Sequence, residues 1–107
     1  IMIAYDWNCK TVDVHPQEEG ETDVVYNVHW IVTGVDGDYS ANCIGTQVVP
    51  LSEGGTFIPF EDLTNDVVVD WTKEAMGEEQ VTQIETSVAS EIEGKINPTS
   101  VTMTIGE

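Results

Sequence analysis

Arginine is absent from this chain of 107 residues, and lysine is scarce. Three basic side chains face 20 aspartates and glutamates, a formal net charge of −17. Nucleic-acid binding depends on Lys and Arg neutralising phosphates, so a direct nucleic-acid partner is not expected. The same surface repels anionic membranes. Without arginine there is no bidentate clamp for a phosphate or carboxylate substrate. Such acidity suits solubility in a salty medium, since about 1 M salt cuts the screening length to roughly 3 Å.

Cysteine is sparse as well. Cys9 and Cys43 do not make a disulfide framework. No apolar run approaches the roughly 20 residues that span a bilayer. No basic stretch followed by an apolar one opens the sequence, so no secretory leader is expected and a reducing cytoplasm is the expected compartment. There is no internal repeat and no long linker, so residues 1–107 read as one domain. A domain of this size buries roughly 65% of the surface its unfolded chain exposes, which one core can supply.

What is present begins with alternation. Ile1, Ile3, Tyr5 and Trp7 share one side, and the apolar phase then shifts to Val12 and Val14. A bulge or tight turn near Asn8 explains the slip. Pro16 is expected to end this strand, because it cannot donate to a ladder, and 17–23 reads as a polar loop. Residues 24–49 read as a hairpin with Val24, Tyr26, Val28, Trp30 and Val32 on one face. Asp36-Gly37 suits a two-residue type I′ turn, which predicts Trp30 opposite Cys43 and Val28 opposite Gly45. Large residues then face small ones, which makes this the core side. The reverse face carries Asn27, His29, Ile31 and Thr33 and is expected to be covered in part.

Residues 50–59 form a Pro- and Gly-bounded loop. Helical spacing follows over about 63–76, with Leu63, Val67, Trp71 and Ala75 four apart and Val68 beside them. Asp62 or Thr64 is placed to cap it, and Gly77 to end it. A second helix over about 78–96 carries Val81, Ile84, Val88, Ile92 and Ile96, and Asn97-Pro98 stops it. The tail 99–107 alternates Val101, Met103 and Ile105, as an edge strand or an extended arm. The fold class is therefore α+β: an antiparallel sheet, made of an N-terminal strand and the hairpin 24–49, packed by two helices from the C-terminal half.

Candidate sites are few. Cys9, His15, His29 and Cys43 are all zinc-ligand types, yet their spacing matches no paired-ligand pattern, and Cys43 and His29 fall on opposite faces. A cysteine nucleophile needs an electropositive setting that this composition does not offer. Asp36-Gly37-Asp38 lacks the remainder of a calcium loop. Glu61 with Asp62, and Glu78 with Glu79, stand at helix starts, where capping and dipole effects explain them. Trp7, Trp30 and Trp71 come from separate elements; Trp30 and Trp71 are assigned to the core. No phosphate-loop, dinucleotide or nucleophile-elbow motif is present. No catalytic residue, cofactor or metal ligand is therefore assigned.

The stretches VVYNVHWIVTGVDG and FIPFEDLTNDVVVDWTKEAMGEEQVTQIE together resemble small proteins without a defined activity encoded by marine tailed bacteriophages of the cyanophage type. The resemblance covers roughly residues 5–97. It implies a phage product in the cytoplasm of an infected bacterium, with a place in the virion or its assembly, and other phage proteins as partners.

Two functional classes follow, with a small enzyme of unknown type as a third. One is a non-enzymatic protein acting through protein–protein contacts. The other is an acidic decoy that mimics DNA and occupies a host DNA-binding protein. Contacts are favoured, because acidic surfaces are common and mimicry is rare. The expected contact surface is Val25, His29, Ile31, Ile44 and Val48 on the reverse sheet face, with Val101, Met103 and Ile105 in the tail. A homodimer is expected, two-fold pairs being the commonest assembly.

Overall fold

The computed structural model describes residues 2–51 and 57–106. Three strands form an antiparallel meander: β1 (Ala4–Glu18), β2 (Glu21–Asp36) and β3 (Tyr39–Val48), in the order β1-β2-β3. A single 3₁₀ turn at Phe60–Asp62 leads to α1 (Asn65–Met76) and α2 (Glu78–Ile96), which pack on one face of the sheet. This is the α+β architecture that the periodicities predict.

The bulge near Asn8 is real. Asn8 pairs with Ile31 and Thr11 with His29, so Cys9 and Lys10 together oppose Trp30. The extra residue lets Trp7 and Cys9 both reach the core. Pro16 does not end β1. The strand runs on to Glu18, and Gln17 pairs with Thr22 beyond the proline. β1 is an edge strand, and its ladder skips the proline: Pro16 has no partner in the register, and Asp23 across from it takes a φ of 53°. Residues 17–23 are accordingly not a loop but the tip of a hairpin. Glu19 and Gly20 turn it with φ of 48° and 81°, the two positive values a type I′ turn requires.

A second irregularity lies between Asp13 and Val14, where Val14 pairs with Val25 and leaves Tyr26 as the extra residue. It turns Val25 into the core and Tyr26 outward, stacked on His15 at 3.9 Å. Val25 is therefore not part of an exposed face, contrary to the alternation. From Glu21 to Val25, β2 pairs only with β1. This two-stranded ribbon and the C-terminal arm lengthen the molecule to 69 × 30 × 21 Å. Its radius of gyration of 18.3 Å exceeds the roughly 13 Å of a compact chain of this length.

The β2–β3 turn differs from its predicted form by one residue. Asp36 pairs with Tyr39, so Gly37 and Asp38 are the central pair, and only Gly37 has positive φ, at 60°. That is the requirement of a II′ turn, with glycine first. The register moves by two residues, which from Asn27 to Val48 keeps the side chains on their predicted faces but changes their partners. Trp30 lies opposite Gly45 and Val32 opposite Cys43. A Cβ on Gly45 would overlap the six-membered ring of Trp30. The largest core side chain thus sits in the slot left by the smallest. Trp7 meets the other side of Trp30 at 6.0 Å between ring centroids.

Helix boundaries follow the local signals. Thr64 Oγ1 accepts the Val67 N–H at 3.3 Å and caps α1. Gly77, at φ 91°, ends α1 and begins α2. Ile84, Val88 and Ile92 are buried, as predicted. α2 comes down on Gly34, where a Cβ would crowd the side chains of Val88, Ile92 and Ile3. On α1 the buried pair is Val68 and Thr72, whereas Ala75 is exposed and Trp71 half-buried. The face toward the sheet is therefore rotated by about one residue from the predicted stripe. Thr72 fits there because its hydroxyl donates to the Val68 carbonyl at 2.8 Å.

Asn65 joins the layers. Its Oδ1 accepts the Cys9 N–H at 2.7 Å and its Nδ2 donates to the Trp7 carbonyl at 3.1 Å. The side-chain amide takes the place of a strand residue on the outer edge of β1.

Two substitutions test this account in urea melts. Gly45→Ala should cost about 1–3 kcal/mol, as overpacking does. Asn65→Ala, which strands a half-buried N–H and C=O, should also cost about 1–3 kcal/mol. Losses within error of zero at both positions would show that neither the slot nor the amide clamp holds the sheet.

Candidate functional site

The register decides what the reverse sheet face displays. Ile31 stands directly opposite Ile44, Asn27 opposite Val48, and Val35 opposite Ser40. Ile44 is 71% exposed, Val48 66% and Ile31 41%; Val35 adds a further exposed apolar group on the same face. The sequence-predicted register separated Ile31 from Ile44, so the pairing of the two isoleucines was not legible there. Asp6 and Asp13, on β1, bring the nearby acids to this face.

His29 is exposed beside this patch, and its Nε2 lies 2.8 Å from Asp13 Oδ2. Asn27 Nδ2 donates to the same oxygen at 2.9 Å. Hydrogen bonds from Asn27 and then His29 hold the Asp13 carboxyl below its ordinary 3.8. Among the described residues the His29–Asp13 pair is the only contact between a basic side chain and a carboxylate within 4.0 Å.

The C-terminal arm forms neither a strand nor a helix. Val101, Met103 and Ile105 are 68%, 83% and 86% exposed. Of the eight residues predicted for a contact surface, the structure buries Val25 and exposes the other seven. Ile31, Ile44, Val48 and His29 share the sheet face, while the arm is separate from it.

A cleft of about 350 Å³ was not foreseen. Its apolar walls include Val25, Val49, Phe57, Ile58, Leu63 and Trp71, and Asp23 and Glu74 bring carboxylates to it. The arrangement can take an apolar group, with negative charge beside it. Leu63, Trp71 and Ala75 line it, which is where the remainder of the α1 stripe goes. Their spacing was visible in the sequence, but the cleft draws on four chain segments, and no local pattern announces that.

The four zinc-ligand types do not converge. Cys9 is buried in the core, His15 stacks on Tyr26, His29 pairs with Asp13, and Cys43 is half-buried and free. Among the described residues no group of three His, Cys, Asp or Glu side chains is placed to hold a metal ion. Burial pushes the Cys9 thiol above its ordinary 9.0, although Thr72 and the Lys73 charge pull the other way. Lys73 itself lies over the Trp7 ring, 5.0 Å from its centroid. The Trp7 indole N–H donates to Glu85 Oε2 at 2.9 Å. These groups are tied to packing. No helix among the described residues is long and apolar enough to cross a membrane.

The fold is thus a three-stranded meander under a helix pair, with an apolar patch on its open sheet face. The chain belongs to the family described as a domain of unknown function, DUF7936, whose model matches residues 2–105. No curated protein and no solved structure matches the chain.

Two measurements check the site. Asn27→Ala and His29→Ala should each raise the Asp13 pKa toward 3.8 in a carboxyl-detected NMR titration. A depressed carboxylate contributes stability above its unfolded pKa and loses it as pH falls through the lowered folded value. An Asp13 pKa that stays put in both variants would remove the assigned cause. Iodoacetamide on the native protein should label Cys43 and spare Cys9, as its burial and raised pKa require.

Proposed function

We propose that this chain is a non-enzymatic acidic protein that acts through protein–protein contacts, first with a second copy of itself and then with other phage proteins in virion assembly. The observation that carries the reading is the exposed patch of Ile31, Val35, Ile44 and Val48, on the face of the sheet away from the helices. The phage setting rests on the sequence resemblance alone. It would place the protein in the cytoplasm of the infected bacterium and in the virion. No catalytic residue, cofactor or metal enters this reading.

One observation favours a second reading, the DNA-mimicking decoy. Asp66, Asp70 and Glu74 are exposed at four-residue intervals on α1. Consecutive carboxylates in such a row stand about 6 Å apart along the axis. It is a single row on a short helix, and the contact reading takes precedence.

Light scattering across a salt series tests the first reading. The mass should rise from monomer to dimer as salt screens the charge. Ile44→Asp, at an exposed position, should leave the melting curve within about 0.5 kcal/mol of the parent and return the mass to monomer. A monomer at every salt and at high protein concentration overturns the self-association. Under the decoy reading, Asp66→Asn with Asp70→Asn would abolish partner binding and Ile44→Asp would not.

A further inference from the structure

We propose that residues 99–106 of one chain add as a fourth strand to the outer edge of β3 in a second copy, with Val101, Met103 and Ile105 seated in the groove between β3 and α2. This rests on the reading that the protein acts through contacts between chains, and it names the segment and its seat.

The two edges of the sheet are not equivalent. β1 carries Pro16, two register breaks, and Asn65 on the backbone of Trp7 and Cys9. Prolines, bulges and covering groups are the devices that close an edge to pairing. β3 has none of them over Tyr39–Val48: no proline, no charged residue and no register break. The Val49 N–H donates to the Tyr26 carbonyl at 3.0 Å, which sets the phase of the β2–β3 ladder. The alternation of an antiparallel ladder then turns the N–H and C=O of Asn42, Ile44 and Thr46 outward. At the two ends, Lys95 Nζ donates to the Ser40 carbonyl and Gln47 Nε2 to the Val48 carbonyl. No bond to the backbone of the three residues between is made outside the ladder among the described residues.

The side chains beside that edge also leave room. On the helix-facing side β3 presents Ala41, Cys43 and Gly45, all small. An open groove of about 520 Å³ runs between Cys43 and the helices, lined by Met76, Gln80, Gln83, Ile84 and Ser87, with Glu79 the single charge. Added strands gain affinity from main-chain bonds and selectivity from pockets for alternate side chains.

The arm has the matching features. Val101, Met103 and Ile105 alternate with Thr102 and Thr104, a pattern of β-branched and apolar residues suited to a strand. Residues 99–106 carry no charge in a chain whose net charge is −17, so this segment approaches an acidic domain without repulsion. Eight residues span about 26 Å when extended, enough to cover the open stretch Asn42–Thr46 of the ten-residue β3.

The occupant is a second copy for a topological reason. α2 ends beside the start of β3, where Lys95 holds Ser40. To pair with its own β3 the chain would have to reverse between Asn97 and Ser100, across Pro98. The chain bends at Asn97, at φ −127° and ψ 73°, and again at Thr99, yet the arm does not lie along its own β3 and keeps its apolar side chains exposed. Two chains exchanging arms satisfy both edges by one two-fold axis.

Cysteine cross-linking tests the seat, because Cys43 lies in the groove and Cys9 is buried. Val101→Cys, Met103→Cys and Ile105→Cys are made one at a time in the full chain, with Thr102→Cys and Thr104→Cys as parity controls. All five positions are exposed, so folding is not at stake. Mild oxidation followed by non-reducing electrophoresis should double the mass for at least one odd position. Peptide mapping should then show Cys43 as the partner, and the even positions should stay monomeric. A disulfide to Cys43 within one chain overturns the exchange, and cross-linking from even positions alone overturns the seating in the groove. Absence of any cross-link while light scattering still reports a dimer overturns the arm model and leaves the sheet-face contact standing. A monomer in both assays overturns both.

Discussion

Trp30 lies over Gly45, in the space a Cβ would occupy, and much of the molecule depends on that contact. The pairing two residues away would set the Cys43 side chain in the same space. The chosen register gives the indole its slot and brings Trp7 against it from β1. The same register fixes the far side of the sheet. Because Trp30 takes Gly45, Ile31 must take Ile44, and a pair of isoleucines stands in water. The exposed patch is thus a consequence of how the core is filled. Changing the core register would dissolve it, since a two-residue slip keeps each face but changes every partner.

The helices answer a different problem, the open edge of β1. α1 starts with Thr64 as cap and Asn65 as first residue, and Asn65 spends its amide on the strand rather than on its own helix. The bulge at Cys9 and Lys10 lies next to that contact. A backbone N–H and C=O that would otherwise meet only solvent are satisfied by a residue 56 positions away from Cys9. Position 65 therefore couples the helix layer to the sheet through hydrogen bonds as well as through Val68 and Thr72.

How much of this was legible depended on how local the cause was. Thr64, Gly77 and Asn97-Pro98 act on their own helix ends, and they read correctly. The valine and isoleucine stripe of α2 did so too, because one period served one partner. The β2–β3 turn was misplaced by one residue because Asp36-Gly37 and Gly37-Asp38 both supply a glycine for positive φ. The Trp30–Gly45 contact selects between them, and it is a tertiary fact. Pro16 was read as a stop because an edge position cannot be known before the strand order. Val25 was assigned to the wrong face because the irregularity at Tyr26 is set by pairing with β1. Six of the seven exposed residues of the expected surface were legible as apolar alternation, with His29 between them, and the sequence already set the sheet face apart from the tail. The cleft was invisible, since Val25, Val49, Phe57 and Trp71 are neighbours only after folding.

The charge of −17 has a definite geometry. On the patch side of the sheet the nearby acids are Asp6 and Asp13, and the second is held by Asn27 and His29. Asp66, Asp70, Glu74, Glu78 and Glu79 belong to the helices on the opposite face. Packed layers of secondary structure stand on the order of 10 Å apart. The screening length at physiological salt is roughly 8 Å. Two copies meeting by their sheet faces thus keep the helical acids beyond that length. Approach by the helices would oppose the two acidic rows directly. The uncharged arm and the uncharged β3 edge follow the same logic. Charge repulsion weighs least where the acids are thin, and the surfaces that expose Ile31, Ile44, Val48 and the alternating arm are of that kind.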